Sequence, residues 1–426
     1  MVKSYVAALE KAAALLLVFL LGSSALARAE IQYPLIYEAC HSAVEGANNL
    51  LTLHRLIYGL EEKLLKPKFI EEKTLLKKAL GISYRLSKTI FIDNVVDHMT
   101  FLVQHEFFGH GARYREFGYV NNRYELHLVY PYGDNKGWAF RGEQKQPRIV
   151  TDHENMVMKA GGSEANCILS NILLSKWLQR GSIHYREAIL YLFAANDLNQ
   201  YILFTKFGLR NRAGNDVLNF LSLINAYEGY AGESNYRLTL DDLGKHTLAN
   251  FLNPFFYYAL YTYLYTYLWS GENAWEFPLI KLRGMKYLPC FRMGLTPFGS
   301  ELYFENFFLV SRQVFRLYFR YGIPTFHTFW GAGVNALSIT LSDNLSLQGE
   351  LDVWYQPQLL LGGDSVVVKK TGFGAALLGT VHFRPIKSKF PLHLFTQVGY
   401  KSKGFLPGEK LSAGLIIRAG LSLSEM

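Results

Sequence analysis

Cysteine is scarce. Cys40, Cys167 and Cys290 are the only three in 426 residues, far apart and without a C-x-x-C pair. That excludes a disulfide framework and a zinc–thiolate site, and leaves room for one disulfide at most. There is also no run of lysines or arginines. The formal charge of +9 is scattered along the chain, which describes a solvated surface and not a nucleic-acid footprint, so no nucleic-acid partner is expected. The apolar run Ala12–Gly22 is too short for a membrane-spanning helix. It follows Lys3 and Lys11 and precedes the small-x-small sequence Ala27-Arg28-Ala29. These are the parts of a secretory signal peptide over residues 1–29, so the mature chain is expected to be exported to the periplasm or outer membrane.

What remains divides by hydrophobic period. From about residue 30 to 285 the spacing is mostly helical. Ile92 to Gly118, Glu154 to Arg180 (closed by Gly181), Ile183 to Phe207 and Asp216 to Tyr227 each read as helices. Asn253-Pro254 supplies a cap and a first-turn proline for an aromatic helix running to Trp269.

After Lys286 the period becomes two. Leu345, Leu347, Leu351 and Val353 alternate with Ser346, Gln348, Glu350 and Asp352, and Leu415 to Leu423 alternates in the same way. Eight such segments fall near 288–298, 301–310, 312–322, 326–340, 344–356, 366–384, 391–401 and 410–424. Turn residues separate several of them, as in Gly362-Gly363-Asp364. An even number of long strands, apolar on one face and polar on the other, predicts an antiparallel β-barrel of about eight strands over 286–426. Membrane lipid around it is the first reading and a soluble barrel the second. The expected fold class is thus α+β, an all-helical N-terminal domain followed by a barrel.

The H-E-x-x-H spacing of common zinc helices is also missing. In its place residues 105–118 read HEFFGHGARYREFG, with His105 and His110 five apart. On an ideal helix His110 would lie about 140° around from His105. A wider, π-type turn would restore the alignment, and Gly109 is the residue best able to distort. Downstream, AGGSEAN places Glu164 in an apolar helix, where a carboxylate needs a partner. Gly161 and Gly162 there point to close approach of another helix. His105, His110 and Glu164 would suit one zinc ion with an open fourth position. Glu106, about a quarter turn away, would be the general base. His98 is on the face of His105 and reads more simply as packed. Tyr227, Tyr230 and Tyr236 are undistinguished candidates for oxyanion stabiliser. Asn48, Asn49, Arg113 and Arg115 carry no pattern that gives them a role.

The string H-E-x-x-G-H resembles that of the dipeptidyl peptidase III family, matched here by His105, Glu106, Gly109 and His110. More broadly the arrangement is similar to that of gluzincin-type metallopeptidases, where a second helix supplies a glutamate ligand. The resemblance covers only these residues. It implies two zinc-binding histidines and a catalytic glutamate. The expected function is a zinc-dependent hydrolase, first of peptides and alternatively of lipid or cell-wall amides, attached to the outer membrane. A noncatalytic outer-membrane barrel with a helical binding domain is the competing expectation.

Overall fold

The computed structural model describes residues 31–65, 74–209, 214–230, 237–310, 313–323, 326–342, 344–362, 370–385 and 392–424. The signal-peptide reading lies outside them. The chain opens with a strand, β1 (Gln32–Tyr37), then the helices α1 (Ala43–Leu65), α2 (Leu75–Lys88), α3 (Asn94–His105) and α4 (Gly111–Glu116). Four short strands follow: β2 (Tyr119–Val120), β3 (Arg123–Leu126), β4 (Gly137–Phe140) and β5 (Glu143–Gln144). The long helix α5 (Asp152–Arg180) starts where Thr151 and Glu154 cap each other's backbone and stops at Gly181, whose φ of 82° suits glycine. Then come β6 (Ser182–His184), α6 (Tyr185–Lys206), α7 (Asp216–Tyr230), α8 (Leu240–His246) and α9 (Pro254–Tyr261). Helix α9 begins, as expected, with Asn253 capping the Phe255 amide, and it continues to Trp269 as a wider turn. Among the described residues no helix is long and apolar enough to cross a membrane.

The two short strands β7 (Ala274–Glu276) and β8 (Ile280–Leu282) lead into eight long ones, all at the expected places. They are β9 (Met285–Thr296), β10 (Gly299–Val310), β11 (Gln313–Gly322), β12 (Trp330–Ser342), β13 (Leu345–Pro357), β14 (Thr371–Phe383), β15 (Leu392–Lys401) and β16 (Gly414–Ser424). Each pairs antiparallel with its sequence neighbour. The expected barrel is corrected in two ways. Among the described residues the sheet has ten strands, because β8 adds to β9 and β1 adds to β16, and it is open, with β1 and β8 at its ends. Closure fails for a local reason. The free edge of β1 is occupied by α1, so it cannot take another strand. Asn49 accepts from the Ile36 amide (2.6 Å) and donates to the Ile36 carbonyl (2.8 Å). Thr52 donates to the Pro34 carbonyl (2.8 Å) and Lys176 to that of Gln32 (2.6 Å). Pro34 has no N–H to satisfy. At the other end Asn250 accepts from the Met293 amide of β9 (2.6 Å).

The helices and the sheet share their cores. Leu169, Leu173 and Trp177, four apart along α5, pack with Tyr191 and Phe255 and also with Leu288, Cys290, Phe307 and Val314 of the strands. A second cluster joins Met156, Ile202 and Phe220 to Met293 and Leu295. Together with the pairing of β1 to β16, this sets the division near residue 285 inside one packed unit.

Asn49→Leu keeps the side-chain volume and removes both bonds to Ile36, whose backbone lies in a buried residue. Each orphaned group costs about 1–3 kcal/mol, so equilibrium unfolding should show a marked loss of stability, while an exposed control such as Lys136→Ala should change little.

Candidate metal centre

Helix α3 does not end at His105. The chain continues through a wide turn, Glu106–His110, into α4, and the Gly111 N–H bonds back to the Glu106 carbonyl five residues earlier. This is the π-type turn that the five-residue spacing required. It brings His105 Nε2 and His110 Nε2 to 3.3 Å of each other. Glycines permit it. A Cβ on Gly109 would lie 2.7 Å from the Gly161 carbonyl and the Gly162 Cα, and a Cβ on Gly162 would overlap the His105 ring. The two helices therefore touch backbone to backbone, as the paired glycines suggested.

The third group of the cluster is Asp216, at the start of α7. Its Oδ2 lies 3.3 Å from His110 Nε2 and 3.8 Å from His105 Nε2. This corrects the assignment of Glu164 as third ligand. Glu164 follows Gly162 by two residues and so points about 200° away around α5. There it pairs with Arg113 (2.5 Å) and accepts from the Gly408 amide (2.7 Å). The partner demanded by a buried carboxylate is an arginine.

Outer contacts fix both imidazoles. His105 Nδ1 lies 3.0 Å from Asp197 Oδ2, and a carboxylate only accepts, so Nδ1 carries the proton. Asn166 donates to the same oxygen (3.2 Å). His110 Nδ1 lies 2.7 Å from the Met158 carbonyl and must donate as well. Both Nε2 lone pairs are thus turned toward Asp216, the arrangement in which a histidine binds metal. Tyr201 stacks on His105 and brings its hydroxyl to 3.5 Å from Nε2.

The electrostatics favour positive charge here. Burial disfavours the charged form of His105, but Asp197 and then Asp216 outweigh it and hold its pKa well above the ordinary value. His110 is raised by Asp216 against the same burial. Burial would raise Asp216, yet His110 and His105 hold it below the usual carboxylate range. Two inward-facing Nε2 atoms at 3.3 Å cannot comfortably both carry protons, whereas one cation between them and Asp216 satisfies all three. The donor set fits zinc. Tetrahedral bonds of about 2.0–2.2 Å put ligand atoms roughly 3.3–3.5 Å apart.

Glu106 is buried, and its carboxylate lies under Gly137 of β4, where a Cβ would come within 2.9 Å of Oε1. Its charge acts on both histidines. His98 packs between Phe101 and Phe193, away from the cluster. Tyr227 lies against His153, while the Tyr230 side chain and Tyr236 lie outside the described residues.

Sequence reasoning missed Asp216, Asp197, Asn166 and Tyr201. Asp216 was hidden because an acid in the first turn of a helix is already explained by the helix dipole. Asp197 gave no signal of the kind that drew notice to Glu164, since Asn196-Asp197-Leu198-Asn199-Gln200 reads as an ordinary polar stretch of α6. Comparisons of the chain with protein-family models, with curated proteins and with solved structures find no match.

Proposed function

We propose that the protein is a zinc-dependent hydrolase acting on amide bonds, with His105, His110 and Asp216 as the metal ligands and Glu106 as general base. The observation that carries this reading is the convergence of two Nε2 lone pairs and one carboxylate oxygen, at 3.3–3.8 Å, beside a buried glutamate. Three protein ligands leave a fourth position open, which separates a catalytic site from a closed structural one.

A zinc ion held there would polarise a carbonyl and make water acidic enough to attack near neutral pH. The chain's own residues do the rest. Asp197 and the Met158 carbonyl keep the protons on the Nδ1 atoms, so the ligand lone pairs stay free. The Glu106 carboxylate would accept a proton from the attacking water and return it to the leaving nitrogen. The Tyr201 hydroxyl would donate a hydrogen bond to the oxygen that gains charge. A peptide is the first substrate class to try, since the H-E-x-x-G-H resemblance points to peptidases.

Elemental analysis of the purified mature chain should give about one zinc per molecule. His105→Ala, His110→Ala and Asp216→Ala should each lose the metal and the activity. Glu164→Ala should retain zinc, because its role is to hold Arg113 and the Gly408 amide. Glu106→Gln should keep zinc while hydrolysis falls by about 10²-fold or more. Full activity in Glu106→Gln, or a zinc-free wild-type chain, would overturn the reading.

Asp197→Asn tests the outer contact separately. It should weaken zinc affinity by about 10–100-fold, read by competition with a chromophoric chelator, without removing a ligand.

A further inference from the structure

The sheet is built with its polarity reversed. On β13 to β16 each Asp, Glu, His, Lys and Arg side chain lies on the face turned toward the helices. Asp352, His382, His393, Lys401 and Arg418 are all buried there. The opposite face carries none. Phe373, Leu377, Leu394, Val398, Leu415 and Ile417 stand on it, each between 47% and 63% exposed. A sheet with one face in water does the opposite, burying its apolar side and wetting its polar side. A continuous apolar face of this width marks an interaction surface.

Three further observations select the occupant. The eight long strands have 10 to 13 residues, and a strand needs about 9–11 to cross a hydrocarbon core. Near one end of the strands Phe319, Tyr321, Trp330, Tyr355 and Phe373 stack into a row of neighbouring rings, the place and composition of an interfacial aromatic girdle. Backbone groups at both open edges find side chains, Asn49 with Thr52 along β1 and Asn250 at β9. Such pairing is demanded where no water can reach an edge. A protein partner would want a polar rim around a smaller apolar centre, and the outward positions of β13 to β16 offer no charge to form one.

We infer that the outward face of the sheet is covered by the acyl chains of a lipid bilayer, with α1 and the helix ending at Trp269 lying along the seam that the strands leave open. Leu53, Leu56, Ile57 and Leu60 of α1, and Leu264 and Trp269 beyond α9, are exposed apolar side chains on those two helical segments. The inference is independent of the metal site and stands or falls without it.

The test uses the full chain reconstituted into phosphatidylethanolamine–phosphatidylglycerol vesicles. Nitroxide labels on Leu377→Cys, Leu394→Cys and Ile417→Cys should collide with oxygen several-fold more often than with a water-soluble nickel chelate. A label on Lys136→Cys, exposed on the β3–β4 hairpin, should show the reverse, with the labelled wild-type chain as background for the native cysteines. Leu377→Arg and Ile417→Arg should lower the ratio of vesicle-bound to free protein in flotation by about tenfold or more, with circular dichroism checking the fold. The inference is overturned if the outward labels meet nickel as freely as Lys136→Cys. It is equally overturned if the arginine variants float like wild type, or if the chain remains monodisperse in buffer without lipid or detergent. Protection of the same labels in a concentration-dependent dimer in buffer would assign the face to a second copy and also overturn it.

Discussion

The contact between Gly109 and the pair Gly161–Gly162 governs the centre of the molecule. Backbones of two helices meet there with no side chain between them, since a Cβ on Gly109 would press into the main chain of α5. The approach fixes where the His105 ring can lie, because Gly162 faces it directly. It also asks the helix carrying His105 to widen, and the turn from Glu106 to His110 supplies this by bonding over five residues instead of four. One steric condition thus accounts for the unusual spacing of the histidines, for the glycine before the second, and for the glycine pair 52 residues after it. Helix α5 then does a second job on its other side, where Leu169, Leu173 and Trp177 enter the core shared with the strands.

Buried charges tie this centre to the sheet. Arg113, one turn beyond His110, binds Glu164, Glu116 and the Glu409 carbonyl. Glu116 accepts from the Leu411 amide and Glu164 from that of Gly408. The segment before β16 is therefore held by three side chains of α4 and α5. Arg418 completes the link, reaching Glu38 and Glu409 at 2.9 Å each. Ion pairs this deep contribute little net stability over an apolar core, but they fix geometry, since each unpaired partner would be costly. Here they fix the sheet against the helix whose turn sets the histidines.

Much of the fold was legible. All eight long strands sit where the period of two placed them, because alternation over ten or more residues is hard to produce otherwise. The helices α5, α6 and α7 and the wide turn at 106–110 were legible as well. What failed was long-range. Gln32–Tyr37 is six residues in a helical neighbourhood, and nothing local says that it pairs with β16 nearly four hundred residues later. Asn49, which carries no pattern of its own, becomes decisive only when it is opposite that strand. The third member of the cluster failed for the same kind of reason. Glu164 and Asp197 are both acids within helices, and their partners, an arginine and a histidine, are chosen by the fold and not by the spacing.

Alternation also carries an ambiguity of its own. A period of two says that a strand has an apolar and a polar face, but it is silent on which face is turned inward. The burial of Arg418, Lys401 and His382 beside the exposure of Ile417, Val398 and Val381 on the same strands settles this for the folded chain. The consequence reaches the histidine cluster. Of the charges the sheet presents to its interior, Arg418 meets Glu38, just before α1, while Glu116 of α4 and Glu164 of α5 accept from the Leu411 and Gly408 amides of the segment leading into β16. Glu38, Glu116 and Glu164 are thus matched to arginines or backbone amides. Asp216 differs because the groups it faces are two imidazoles with their outer nitrogens already bound. Among so many acids, the environment of the histidines and not the mere presence of a carboxylate is what singles out a site able to hold a cation.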